Sequence, residues 1–185
     1  MKIEIMEYNP DWTKNFEEEK IKLLRFFGSH AVAIEHIGST AIPNQRAKPV
    51  IDIFIGVSPF AELTFYQRIF NAKEYHHTPT DMTSRYLFAK YTNEVWTHNL
   101  HVLPYNDGFY LRNEFLLRDY LREHPKLADE YGEVKERAAM ENGSTMEAYT
   151  RAKTEFIQKV IDAARKKACP CKAFGKVRVI YSWIS

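Results

Sequence analysis

One segment of the sequence, from Val50 to Val57, is built from β-branched and other apolar residues and is interrupted by a single carboxylate, Asp52. A continuous apolar run of this length is typical of a central strand that is covered on both faces of a sheet. An unpaired carboxylate in such a strand costs several kcal/mol. Asp52 therefore requires a cation, a metal ion, a hydrogen-bond partner or an open cleft. Strand alternation places Val50, Asp52 and Phe54 on one face, and that face is the candidate site.

The segments around this strand show the periodicities of both helices and strands. Strands are predicted over residues 3–6, 31–37, 86–91 and 99–103, and Thr92-Asn93-Glu94 is a plausible hairpin turn between the last two. A helix capped by Asn9 or Asp11 is predicted to end at Gly28, and a second is predicted to open at Ser58-Pro59. The polar stretch of residues 75–80, which contains His76 and His77, favours a loop.

From Phe109 onward the apolar residues follow helical spacing, so the C-terminal half is predicted to be helical. The fold class is α+β, with a mixed sheet and flanking helices first and a helical half second. The chain divides into an α/β core over residues 1–108, a helical portion over 109–165 packed on it, and a tail of unknown structure over 166–185. The alternation of Val177, Val179 and Tyr181 in that tail would suit an edge strand.

Composition excludes several classes of protein. Lysine and arginine number 26 against 24 aspartate and glutamate, so the net charge of +2 drives the molecule onto neither nucleic acid nor anionic lipid. No apolar run approaches the roughly 18–20 residues that cross a bilayer, and the first residues lack an apolar signal core. These features predict a cytoplasmic protein that is not associated with a membrane. Cys169 and Cys171 are interpreted as free thiols. The oligomeric state is left open.

The predicted strand over residues 31–37 ends in Gly38-Ser39-Thr40, where backbone N–H groups and hydroxyls are exposed to an anion. Such a terminus is a cradle for phosphate, although a glycine after a strand is often only a turn. Lys48 and Lys90 flank the site strands and are candidate hydrogen-bond donors to a phosphate group. Arg46 and Arg85 are further candidates. The alternative for these lysines and arginines is that they are solvated cations on the surface. The alternative for Asp52 is that it pairs with Arg46 or Lys48 or caps a loop.

Several motifs resemble the GrpB family over nearly the whole chain up to residue 164. They are Glu35-His36-Ile37-Gly38-Ser39-Thr40-Ala41-Ile42-Pro43, Ala47-Lys48-Pro49-Val50-Ile51-Asp52-Ile53, Asn99-Leu100-His101-Val102, the run from Phe115 to Pro125, Ala148-Tyr149, Lys153 and Phe156-Ile157. That family is grouped with the nucleotidyltransferase superfamily, whose members resemble the polymerase-β catalytic domain. The resemblance implies a nucleotidyltransferase-like sheet in which Gly38 and Ser39 hold phosphates and strand carboxylates bind two divalent ions.

The sequence departs from the superfamily pattern, which has two acids one residue apart. Around Asp52 the alternate positions are Val50 and Phe54, and the place of a later carboxylate holds His101, with Asn99 on the same face. The resemblance then implies Asp52 and His101 as catalytic residues. It implies a metal site of Asp52, His101 and Glu35 or His36. Imidazole ligands shift the preferred ion from Mg²⁺ toward Mn²⁺ or Zn²⁺.

The expected function is that of a nucleotidyltransferase-fold protein that acts on or binds a nucleotide or other phosphate-bearing small molecule with help from a divalent ion. The alternative is a non-catalytic nucleotide-binding or regulatory module linked to coenzyme A metabolism. Nucleic acid is disfavoured as the ligand because the charge balance is even.

Overall fold

The computed structural model describes residues 3–142 and 145–168, which form a five-stranded sheet with helices on both of its faces. The elements, in chain order, are α1 Asp11–Phe27, β1 Ala31–Ile37, β2 Ile51–Val57, α2 Leu63–Ile69, β3 Tyr75–Thr78, β4 Tyr86–Thr92, β5 Val95–Pro104, α3 Asn113–Glu123, α4 Pro125–Asn142 and α5 Met146–Ala168. This arrangement confirms the predicted mixed sheet with flanking helices followed by a helical half.

The sheet has the strand order β1-β2-β5-β4-β3. Strands β2 and β5 run parallel, and the other neighbours are antiparallel. Strand β2 is therefore internal, and Ile53, Phe54 and Ile55 are fully buried, as its continuous apolar sequence predicts. The parallel register sets Asp52 opposite Asn99 and Phe54 opposite His101. These four side chains share one face of the sheet, because side chains alternate along each strand.

The two faces of the sheet carry different layers. Ile51, Ile53 and Ile55 pack in one apolar cluster with Phe16 and Leu23 of α1. On the opposite face, Phe54 packs with Phe109 and Phe115, which bring the start of the helical half onto the sheet. A third cluster holds α3, α4 and α5 together and includes one loop residue, Ile42. The face that carries Asp52 is thus covered by the C-terminal helices.

Three elements differ from the sequence predictions. Within the described residues, the predicted first strand is reduced to a bridge in which Met6 and Ala47 exchange two hydrogen bonds of 2.9 and 3.0 Å, because its partner is a loop and not a strand. The helix after Ser58-Pro59 begins only at Leu63. The residues predicted as a histidine-rich loop form β3, which pairs with β4 and buries Tyr75.

The hairpin between β4 and β5 is confirmed. Its two-residue loop, Asn93-Glu94, has φ angles of 50° and 65°, as in the tight turns that match the twist of paired strands. The Cys169 and Cys171 thiols and the predicted edge strand near the C-terminus lie outside the described residues. Within residues 3–142 and 145–168, no helix is both long enough and apolar enough to cross a membrane.

Candidate functional site

A cavity of about 120 Å³ lies between the Asp52 face of the sheet, the loop that follows β1 and the three C-terminal helices. A volume of this size has room for several water-sized groups. Six of the residues predicted from the sequence line it together, namely Gly38, Ser39, Thr40, Lys48, Asp52 and His101. The remaining lining comes chiefly from the helices, which contribute Glu114, Leu117, Arg118, Tyr131, Lys135, Tyr149, Thr150, Lys153, Thr154 and Ile157.

The loop after β1 is held against both the sheet and α3. Gly38 has a φ of +73°, and a Cβ atom at this position would lie 2.4 Å from Oδ2 of Asp52, so only glycine fits here. The next residues form a 3₁₀ turn over Ser39–Ala41. The guanidinium of Arg122 donates two hydrogen bonds, of 3.1 and 2.7 Å, to the carbonyl oxygen of Ala41. The turn is therefore fixed in place at the mouth of β1.

Asp52 accepts a hydrogen bond of 2.8 Å at Oδ1 from Nδ2 of Asn99, its neighbour in the parallel register. Burial raises the pKa of the Asp52 carboxyl, and the Lys48 ammonium, the Asn99 hydrogen bond and the Lys153 ammonium act in the opposite direction. The side chain nevertheless keeps part of its surface accessible. Both observations hold because that surface faces the cavity, which protein atoms enclose.

Three lysines line the same cavity. Lys48 lies 4.3 Å from the ring centre of Trp96, Lys135 lies 4.6 Å from that of Tyr131, and Lys153 lies 3.9 Å from that of Tyr149. Such contacts stabilise an ammonium group away from bulk water. Burial and the neighbouring Lys48 lower the pKa of Lys153 to about 7, against the opposing effect of Asp52.

The pKa values of Lys135 and Lys48 are lowered, as is that of Lys153. Burial, followed by the charges of Lys153 and Arg46, lowers the pKa of Lys135, which also donates a hydrogen bond to the Arg46 carbonyl oxygen. Burial lowers the pKa of Lys48, and Asp52 opposes this. The cavity therefore gathers cations that are poorly solvated and repel one another.

His101 forms the other polar part of the lining. It is 5% exposed, its ring meets that of Phe54 edge-on at 5.4 Å, and burial lowers its pKa far enough to keep the imidazole neutral at pH 7. Among the described residues, no hydrogen-bond partner is found for its Nδ1 atom. A buried polar atom without a partner is uncommon in proteins, so this nitrogen is a candidate hydrogen-bonding group beside the cavity.

Three of the predicted site residues lie elsewhere. His36 points to the α1 face, where it stacks on Phe16 at 4.7 Å and its Nε2 atom lies 2.9 Å from Oγ1 of Thr40. Glu35 lies outside the cavity lining and pairs with Arg118 at 3.4 Å. The structure does not bring either residue together with Asp52 and His101, because the pairing of β1 with β2 sets their positions.

Lys90 also faces away from the cavity. It lies opposite His98 in the pairing of β4 with β5, on the α1 face, and donates a hydrogen bond to Oε2 of Glu19. Tyr75 donates to the other oxygen of Glu19 at 2.6 Å. Lys90 is thus part of a buried ion pair between α1 and β4, since both charged side chains are nearly inaccessible.

The residues present do not fit a divalent ion. Within residues 3–142 and 145–168 there is no group of three or more His, Cys, Asp or Glu side chains arranged to hold a metal. Asp52 is the carboxylate beside the Gly38 turn, and the ammonium groups of Lys48 and Lys153 both act on it. The second acid of the lining, Glu114, pairs with Arg85 at 2.7 Å. A hard cation prefers several oxygen ligands and no neighbouring positive charge.

Sequence reasoning missed Lys135 and Lys153 as cavity residues. Each follows a tyrosine by four positions, Tyr131 in α4 and Tyr149 in α5, so each pair shares one helix face. Those faces also carry the apolar residues of the helix cluster, such as Ile157. A lysine on the apolar face of a helix is the signal that could have identified them, because such a charge needs a partner or a cavity.

The sequence matches the family model described as GrpB protein over residues 2–163. It is 36% identical over 168 residues to the UPF0157 protein YqkA of Bacillus subtilis. That match covers 89% of this chain and 48% of YqkA, so this chain spans about half the length of that relative. It is 30% identical over 163 residues to the glutamate-rich protein GrpB of Alkalihalophilus pseudofirmus, covering 85% of this chain and 93% of the relative.

A solved structure gives the same assignment as the sequence relatives. The crystal structure of conserved protein GrpB from Enterococcus faecalis superposes with a TM-score of 0.80 at 30% identity, over 89% of this chain and 99% of that one. The match with the family model, the relatives and the shared fold agree with one another, and the chain belongs to the GrpB family.

Proposed function

We propose that this protein binds the phosphate group of a small molecule in the enclosed cavity, and that a nucleotide is the first class of ligand to test. The observation that carries the proposal is the charge of the lining, where Lys48, Lys135 and Lys153 line the same cavity as the Asp52 carboxylate and the Gly38-Ser39-Thr40 turn. Charge-assisted hydrogen bonds from ammonium groups to phosphate oxygens are among the stronger polar contacts in proteins.

The other charges of the lining are already matched. Arg118 pairs with Glu35 at 3.4 Å and with Asp119 at 2.7 Å. Glu114 is matched by Arg85. The remaining charged residues of the lining are three lysines and Asp52, so the lining carries net positive charge. Repulsion between the cations adds to the effect of burial in lowering the pKa values of Lys135 and Lys153, and an anion that enters the cavity would offset that repulsion.

The shape of the cavity supports a small ligand. Its volume of about 120 Å³ accommodates a phosphate group with part of the molecule that bears it. The neutral His101 ring, for whose Nδ1 atom no partner is found in the described part of the chain, is a candidate to hydrogen-bond an uncharged part of the same ligand. The nucleotidyltransferase-like fold that the family resemblance implies is the reason to begin with nucleotides.

Binding without turnover is the second candidate. It is favoured by the state of Asp52, whose Oδ1 is occupied by Asn99 and whose charge is countered by two lysines, so that the carboxylate is not arranged to hold catalytic ions. A regulatory module linked to coenzyme A metabolism is one form of this candidate. Release of pyrophosphate from a nucleoside triphosphate would separate a transferase from a binding module.

The first test is a thermal-shift screen with inorganic phosphate, pyrophosphate, nucleoside triphosphates, coenzyme A and dephospho-coenzyme A. A ligand at 100 times its Kd should stabilise the protein by about 2.7 kcal/mol, which for a chain of this size raises Tm by about 5–10 °C. The variant Lys48→Met should lose most of that shift. The matched control Lys159→Met, a lysine of α5 that is 72% exposed, should keep it. Equal shifts in both variants would contradict the proposal.

Anion binding should weaken as pH rises through neutrality. The pKa of Lys153 is lowered to about 7, so its ammonium is largely present at pH 6 and largely lost at pH 8. The charged groups around it are Lys48, Lys135 and Asp52. Sulfate keeps its charge over this range, and its affinity should fall roughly tenfold from pH 6 to pH 8, because one proton on one amine is lost.

Isothermal titration of sulfate at several pH values measures this dependence. The variant Lys153→Met should bind sulfate weakly with little change between pH 6 and pH 8. A wild-type affinity that is constant over the same range would show that Lys153 does not contact the anion.

A further inference from the structure

The environment of Asp52 has a consequence for how the proposed phosphate site works. Its Oδ1 atom accepts a hydrogen bond of 2.8 Å from Asn99. Its Oδ2 atom packs against Gly38 so closely that a Cβ atom there would lie 2.4 Å away. Each oxygen therefore already has a neighbour on one side, and the approach that remains is from the cavity.

The cavity that Asp52 lines also contains lysine side chains whose charges act on its carboxylate. Lys48 comes from the loop before β2 and Lys153 comes from α5, and both charges favour the ionised carboxylate against the effect of burial. A divalent ion at this place would have one carboxylate and the neutral His101 as ligands and would lie among ammonium groups. Repulsion between a divalent ion and nearby ammonium groups is strong in a site of low dielectric.

Lys153 is positioned to supply the charge that such an ion would supply. It lies on the face of α5 that closes the cavity, and the Tyr149 ring, 3.9 Å away, supports its ammonium group. Phe156, Ile157 and Val160, which follow it in α5, pack in the helix cluster, so the helix segment that carries it is anchored. Lys153 and Asp52 line the same cavity, and each charge affects the pKa of the other group.

We propose that the ammonium group of Lys153 takes the place of a divalent ion in this cavity, bridging Asp52 and the bound phosphate, so that phosphate binding does not depend on a metal ion. The inference rests on the proposed phosphate-binding function and extends it. Lysine as a compact point charge with three donors suits this position, because it can neutralise a carboxylate and donate to a phosphate oxygen at the same time.

The test compares binding of inorganic phosphate to the metal-stripped wild-type protein in excess chelator and in the presence of Mn²⁺. The expected result is the same Kd, within a factor of about two, under both conditions. The variant Lys153→Met should lose at least tenfold in affinity in chelator, and Lys159→Met should bind like the wild type. Titration of Mn²⁺ alone, followed by its electron paramagnetic resonance signal, should show no stoichiometric site on the wild-type protein.

Each other outcome overturns the inference in a distinguishable way. Phosphate binding that appears only with Mn²⁺ would support the proposed function and contradict the bridging role of the Lys153 ammonium. Unchanged affinity in Lys153→Met would assign the phosphate to other cations. Absence of phosphate binding under both conditions would remove the proposed function and the inference together. The chelator comparison uses the wild-type chain, so it decides the question even if the variant does not fold, and Lys153→Gln serves as a second variant.

Discussion

Replacement of Gly38 by alanine is expected to destabilise the protein by about 2–5 kcal/mol, since it combines a left-handed backbone with overpacking. The residue has a φ of +73°, and the added Cβ atom would lie 2.4 Å from Oδ2 of Asp52 and 3.2 Å from its Cβ and Cγ atoms. Relief requires movement of β2 or of the loop after β1. Either movement displaces the Gly38-Ser39-Thr40 turn from the cavity, so anion binding should be lost in the folded fraction as well.

Chemical denaturation of the two glycine variants measures the effect. Gly28 is a matched control, because its φ of +53° carries the same backbone cost while a Cβ atom there would meet nothing within 4 Å. Gly28→Ala should therefore cost about 1–2 kcal/mol and leave anion binding unchanged. Equal losses in the two variants would mean that the contact between Gly38 and Asp52 contributes nothing.

Replacement of Lys90 by methionine is expected to destabilise the protein by about 3–5 kcal/mol, because it leaves the charge of Glu19 buried without its main partner. The two side chains are 4% and 2% exposed. Tyr75 continues to donate to Glu19, and the half-exposed Lys22, at 3.8 Å, compensates only in part. Phosphate or sulfate affinity of the folded variant should not change, since Lys90 lies on the α1 face of the sheet.

The double variant Glu19→Leu/Lys90→Met separates a lost ion pair from lost packing. Removing both charges should recover most of the stability lost in Lys90→Met, because a buried ion pair contributes little compared with apolar groups of similar size. Thermal and urea unfolding of the single and double variants give the comparison. Reduced anion affinity in Lys90→Met would restore this lysine to the phosphate site.

Periodicity along single strands was enough to predict part of the site. Alternation along β5 places Asn99 and His101 on the same face of that strand. The parallel register of β2 and β5 sets Asp52 opposite Asn99, so all three side chains lie on one face of the sheet. Asn99 then supplies one of the hydrogen-bond partners that the buried Asp52 requires. Gly38 was predicted at the end of its strand, and its positive φ is the conformation that glycine tolerates.

Proximity to the site strands was not enough to assign Lys90. The pairing of β4 with β5 is regular from Tyr86 to Lys90, and alternation along β4 places Lys90 on the face of Phe88, opposite to the face of His101. A residue that flanks a site strand in the sequence can therefore lie on the other face of the sheet, as Lys90 does. Neither Glu35 nor His36 joins Asp52 and His101, because Glu35 pairs with Arg118 and His36 stacks on Phe16, and these partners come from α3 and α1.

Backbone periodicity and short motifs were enough to predict the buried central strand, the glycine turn at the end of β1, the helical C-terminal half and the family. They did not predict that Lys135 and Lys153 line the cavity with Asp52, or that Lys90 lies on the other face of the sheet. Lys153 is 101 positions from Asp52 and Lys90 is 71 positions from Glu19. Over such separations the packing of whole helices on the sheet sets which charges meet, and no local pattern encodes that packing.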